Sequence, residues 1–164
     1  MSGNSTQNCD KGFASKTAEY FKDPKKIINF YNELPSKFPD ALSFIIKELD
    51  IKEDKLAEKV EVNVRTIQRL CTDLSQNPSM ETVIKICRVI ALPAMISIAL
   101  LDRFGKSIRE STVDVIYLYL ITERVGASME EDDQFLIDNK YLPLSKDARR
   151  EERKKLNKKG KGLT

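Results

Sequence analysis

Between Lys55 and Leu70 runs KLAEKVEVNVRTIQRL, in which Leu56, Ala57 and Val60 recur at helical spacing and, after a short break, Ile67 and Leu70 do the same, joined by Cys71 just beyond it. Two apolar helix faces this close in sequence require two short helices crossing over a tight turn. Small Ala57 lets the two axes approach, and Asn63 offers a side-chain oxygen to cap the second helix. The spacing alone fits a hairpin of a helical bundle as well as a helix that reads DNA.

The same period continues on both sides of this stretch. DPKKIINFYNEL places Asp23 at an N-cap and Pro24 at the first helical position, with Ile27, Ile28, Phe30, Tyr31 and Leu34 as its apolar face. PDALSFIIKELD, NPSMETVIKICRVIAL and PAMISIALLDRFG supply three more helices around the central pair, with Ser79 as an N-cap and Gly105 at a C-terminal stop. ESTVDVIYLYLITERVG and SMEEDDQFLIDNKYLPL add two, the second capped by Ser128 with acids in its first turn. Neither strand-length alternation nor an internal repeat is present, so the fold class is all-α. The expected organisation is a flexible arm over 1–16, a helix within 17–38, a five-helix domain over 39–105, a helical extension over 106–145 and a basic tail over 146–164.

Composition narrows the function classes. No apolar run approaches the ~18 residues that cross a bilayer, and the polar start MSGNSTQNCDKG is unlike an export signal, so a cytoplasmic protein without a membrane partner is expected. The three cysteines, Cys9, Cys71 and Cys87, lack C-x-x-C spacing and the chain holds no His, which leaves few ligands for a transition metal and predicts reduced thiols, no metal and no cofactor. Without His, a Gly-rich phosphate loop or a nucleophile motif, an enzyme is not expected. First-turn acids Glu130, Glu131, Asp132 and Asp133 are explained by the helix dipole.

IKEDKLAEKVEVNVRTIQRL together with NPSMETVIKICRVIAL, in this order and at this gap, resembles the phage-repressor or Xre family of helix-turn-helix DNA-binding domains over residues 41–104. That resemblance implies a recognition helix of about 63–72 in the major groove of double-stranded DNA, with Asn63, Val64, Arg65, Gln68 and Arg69 facing the bases and Gln76 and Asn77 reaching phosphate. The chemistry of the side chains suits this: arginine grips guanine O6 and N7, glutamine suits adenine, and valine touches a thymine methyl. One such helix reads few base pairs, so a homodimer acting as a transcriptional regulator is implied, with Phe30, Tyr31, Tyr117 and Tyr119 as candidates for its surface.

Three departures from the family pattern stand out. Glu53 stands where a phosphate-bonding Gln is common, Glu61 where Gly usually closes the turn, and Asp73-Leu74 where Gly-Lys is usual. Residues 40–105 balance at −1, which supplies little phosphate neutralisation, whereas residues 140–164 carry +7. These features keep a second reading in view, a helix-turn-helix scaffold that serves as a protein-interaction or antitoxin-like module without an operator of its own. The basic tail correspondingly reads either as a second cationic contact for DNA or as a solubilising segment.

Overall fold

The computed structural model describes residues 12–105 and 112–161, so the expectations for 1–11, 106–111 and 162–164 lie outside the described residues. Among the described residues the structure is all helical, with ten helices and no strand. The chain divides into two compact units, residues 1–126 and 127–164. The segment expected as one extension over 106–145 is split between them.

In the first unit the five helices expected over 39–105 are α3 (Phe38–Glu48), α4 (Glu53–Val60), α5 (Val64–Thr72), α6 (Met80–Ile90) and α7 (Ala94–Phe104). Leu42 and Ile45 of α3, Leu56 and Val60 of α4, Ile67 and Leu70 of α5 and Val83, Ile84, Cys87 and Ile90 of α6 are all buried, as their spacing requires. Each such side chain contributes roughly 1.5–3 kcal/mol of apolar transfer. Val62 and Met80, apolar residues at helix boundaries, are half-buried.

Two helices precede this domain where one was expected. α1 (Gly12–Tyr20) occupies residues 12–16 of the expected arm, and α2 (Pro24–Glu33) follows with Asp23 Oδ1 accepting the Lys25 N–H at 2.9 Å. The polar sequence of α1 hides what holds it. Tyr20 packs edge-on against Phe21, and Phe21 in turn against Phe30, whose ring meets Phe44 of α3. Lys16 Nζ bonds the Asp50 carbonyl at 2.9 Å, and Lys59 Nζ lies 5.6 Å from the centre of the Phe13 ring. On α2 only Phe30 is buried, with the C-cap Leu34 just beyond it, while Ile28 and Tyr31 are exposed, so its apolar face is narrower than its composition suggests. Arg103 of α7 donates to the carbonyls of Leu34 and Pro35 and so serves the C-terminal end of α2.

α8 (Thr112–Glu123) packs on α6 and α7. In the second unit α9 (Met129–Asp138) starts with a full capping box, in which Ser128 Oγ accepts the Glu131 N–H at 3.1 Å and Glu131 accepts the Ser128 N–H at 2.8 Å. α10 (Lys146–Lys161) makes the described part of the basic tail a continuous helix.

Candidate nucleic-acid interface

α4 ends at a left-handed residue. Glu61 has φ 64° and ψ 41°, its N–H bonds Glu58 O at 3.2 Å, and the Val62 N–H bonds Ala57 O at 3.0 Å. These two bonds make a Schellman stop, which normally selects glycine because a Cβ is crowded in this conformation. Glu61 carries that strain, of the order of 1 kcal/mol, while its carboxylate reaches 3.3 Å from the Nζ of Lys85, a lysine of α6 only 5% exposed. Glu81, one turn before Lys85 on α6, lies 3.9 Å from the same Nζ. The glutamate at the glycine position is therefore an ion-pair partner for a buried lysine, and its charge is turned to α6.

The turn then delivers α5. Asn63 Oδ1 accepts the Arg65 N–H at 2.9 Å, so Asn63 is an N-cap and its carbonyl oxygen is already engaged. At about 100° per residue, Val64, Gln68, Arg65 and Arg69 fall within about 140° of the helix circumference. Ile67, Leu70 and Cys71 occupy the other side, where they are buried against neighbours that include α3 and α4. Arg65, Gln68 and Arg69 are exposed, and Val64 is half-buried at the edge of the arc. Thr72, absent from the expected set, shares the arc, with its hydroxyl donating to Gln68 O at 2.9 Å. Only its helical position, two turns after Val64, signals this in the sequence.

Gln76 and Asn77 are placed elsewhere. Asp73 ends α5 with a side chain that accepts from Ser75 N–H at 2.8 Å, from Ser75 Oγ and from Gln76 Nε2 at 3.1 Å, bonds that hold the Asp73 carboxyl below the usual carboxylate range. Gln76 is thus tied to its own turn. With Asn77 it lines a groove of about 390 Å³ against Ser36, Lys37, Phe38 and Arg103.

On α4, Lys55 pairs with Glu58 at 3.8 Å and Lys59 faces Phe13, so Arg65 and Arg69 carry the positive charge of the α5 arc. Glu53 and Asp54 lie in the first turn of α4, whose N-cap Lys52 makes no side-chain capping bond. Burial pushes the Cys71 and Cys87 thiols up to about 12, which keeps both neutral. Among the described residues no group of three or more potential metal-ligating side chains is assembled, and no helix is long and apolar enough to cross a membrane.

Two short helices across a capped turn, with one apolar and one polar arc on the second, define a helix-turn-helix unit. A helix-turn-helix family model matches residues 44–94, so this segment is a helix-turn-helix domain of the phage-repressor/Xre type, a family of DNA-binding regulators. No curated protein and no solved structure matches the chain.

Proposed function

We propose that the chain is a cytoplasmic transcriptional regulator that binds double-stranded DNA sequence-specifically, as a homodimer, with residues 39–105 as the DNA-binding domain and α5 in the major groove. The observation that carries this reading is the exposed arc of α5, in which Gln68, Arg65 and Arg69 lie side by side while the opposite arc is committed to the core. Arg65 and Arg69 would take guanine edges, Gln68 an adenine and Val64 a thymine methyl, with Asn63 setting the start of the helix. Gln76 and Asn77, tied into their turn and groove, would serve at most as phosphate contacts.

For the dimer surface we favour α8. Val115 and Tyr119, one helical turn apart, are 55% and 43% exposed, an apolar pair on a helix whose Leu120 and Ile121 are buried. Glu61, one of the departures that favoured an interaction module without an operator, is accounted for by Lys85. Titration of the protein against genomic DNA fragments at several salt concentrations tests the reading: a regulator forms a sequence-selective complex. Absence of any selective complex at the lowest salt would leave the interaction module as the function.

A further inference from the structure

α10 spans Lys146–Lys161 and is exposed along nearly its whole length. Its charges are sorted by face. At about 100° per residue, Lys146, Arg149, Arg150, Arg153 and Lys154 fall within about 140° of the circumference, an arc that holds no acid. All three acids of the helix, Asp147, Glu151 and Glu152, lie outside that arc, interspersed with Lys155, Lys158 and Lys159, so the remaining face is balanced. Two i,i+3 pairs support the helix, Glu152 with Lys155 at 2.7 Å on the balanced face and Glu151 with Lys154 at 3.0 Å, the latter at the edge of the basic arc.

The start of this helix is anchored. Asp133 of α9, a buried carboxylate, accepts the N–H of Leu144 at 2.7 Å and of Ser145 at 3.1 Å together with the Ser145 hydroxyl. Arg149 Nε donates to Pro143 O at 2.9 Å. Asp133 of α9 therefore fixes where α10 begins. A solubilising segment needs net charge alone, and neither this anchoring nor the segregation of charge by face adds to that role.

We infer that the acid-free face of α10 is a docking surface for the phosphate backbone of duplex DNA, separate from base reading by α5; this rests on the reading of the chain as a duplex-DNA binder. From Lys146 to Lys154 the face runs about 12 Å along the helix axis. Duplex DNA presents about seven phosphate charges over that length. Leu156 is the one large apolar side chain of the helix, so α10 lacks the apolar face that a membrane-surface helix inserts. The partner that fits is a regular row of phosphates.

The test compares two double charge reversals in the full-length chain, Arg150→Glu with Arg153→Glu on the acid-free face and Lys158→Glu with Lys159→Glu on the balanced face. Both change net charge equally. Affinity for a mixed-sequence DNA duplex is measured over a series of salt concentrations. The first pair is expected to flatten the log–log salt slope by about two, close to one for each phosphate no longer neutralised, while the second leaves it near that of the parent protein. Arg150→Gln with Arg153→Gln, which keeps good helix formers, is expected to weaken binding in the same direction, and circular dichroism checks that α10 stays helical.

Equal flattening by both reversals, flattening by neither, or a parent protein that does not bind the duplex at low salt overturns the inference. So does a first pair that instead abolishes pelleting with phosphatidylserine vesicles and leaves DNA binding intact. The probe carries no chosen site, so failure of the α5 reading, seen as loss of selectivity among sequences, is a separate result.

Discussion

Lys85 Nζ of α6 lies 3.3 Å from Oε1 of Glu61, the left-handed residue that closes α4. A buried lysine thus reaches from one helix to the turn that sets where α5 begins, and it turns a position suited to glycine into one suited to glutamate. Removing either partner has an effect that depends on the other. Glu61→Gly relieves backbone strain and leaves Lys85 with Glu81 at the longer distance of 3.9 Å, so in the parent background it is expected to cost about 1 kcal/mol. In a Lys85→Met background the same change is expected to stabilise by about 1 kcal/mol, since only strain relief remains. Urea unfolding of the four proteins measures the sign; the same effect of Glu61→Gly in both backgrounds would contradict the pairing.

Asn63 separates stability from recognition. Asn63→Ala removes the cap on α5 and is expected to cost about 1 kcal/mol in thermal or urea unfolding, with no DNA present. Asn63→Asp keeps a capping oxygen and is expected to hold stability, while its negative charge at the start of α5 weakens DNA binding. If Asn63→Asp proved as destabilising as Asn63→Ala, the side chain at this position would not be acting as the cap.

The thiols give a pH signature. Cys71 and Cys87 sit at about 12 in the folded chain against an ordinary value near 9.0. A raised thiol is held as the neutral acid in the native state, so between about pH 9 and 12 the unfolded chain has released protons that the native chain keeps. Stability from this source is complete below pH 9 and is lost as pH rises toward 12. Denaturant unfolding across that window should show a decline that is shallower in Cys71→Ala and Cys87→Ala than in the parent. Thiol reagents at neutral pH should leave both side chains unmodified until the protein unfolds.

The proposed dimer surface on α8 predicts that Val115→Asp or Tyr119→Asp shifts sedimentation equilibrium toward monomer by at least tenfold in Kd while leaving helix content unchanged, because both side chains are exposed. Ile28→Asp on α2, also exposed and apolar, is the control expected to leave assembly as it was. Loss of dimer with Ile28→Asp alone would move the interface to α2.

Much of this architecture was legible. Side-chain spacing gave the five helices of the central domain and their core, and Asp23, Asn63, Ser79 and Ser128 were recognisable as caps because their short polar side chains can reach back to the helix. α1 was not legible: Phe13, Lys16 and Tyr20 acquire meaning only from Lys59, Asp50 and the Phe21–Phe30 pair, partners supplied by tertiary structure. The helix stops were only partly legible. Asp50, Glu61, Ala91 and Lys140 all adopt positive φ at Schellman ends without a glycine to announce them. Of the expected interface residues, Val64, Arg65, Gln68 and Arg69 share one arc because a single helix carries them. Gln76 depended on loop geometry, and Asp73 claimed its side chain.

The central claim, that α5 reads bases, is tested most directly by enriching bound sequences from a pool of random duplexes with the parent protein, Arg65→Ala and Arg69→Ala, and comparing the recovered sites. The parent is expected to enrich a defined motif with two-fold symmetry, and each variant to lose about 1–3 kcal/mol of discrimination at particular base pairs of it. A parent protein that enriches no motif, or variants that weaken every sequence alike, would contradict the account.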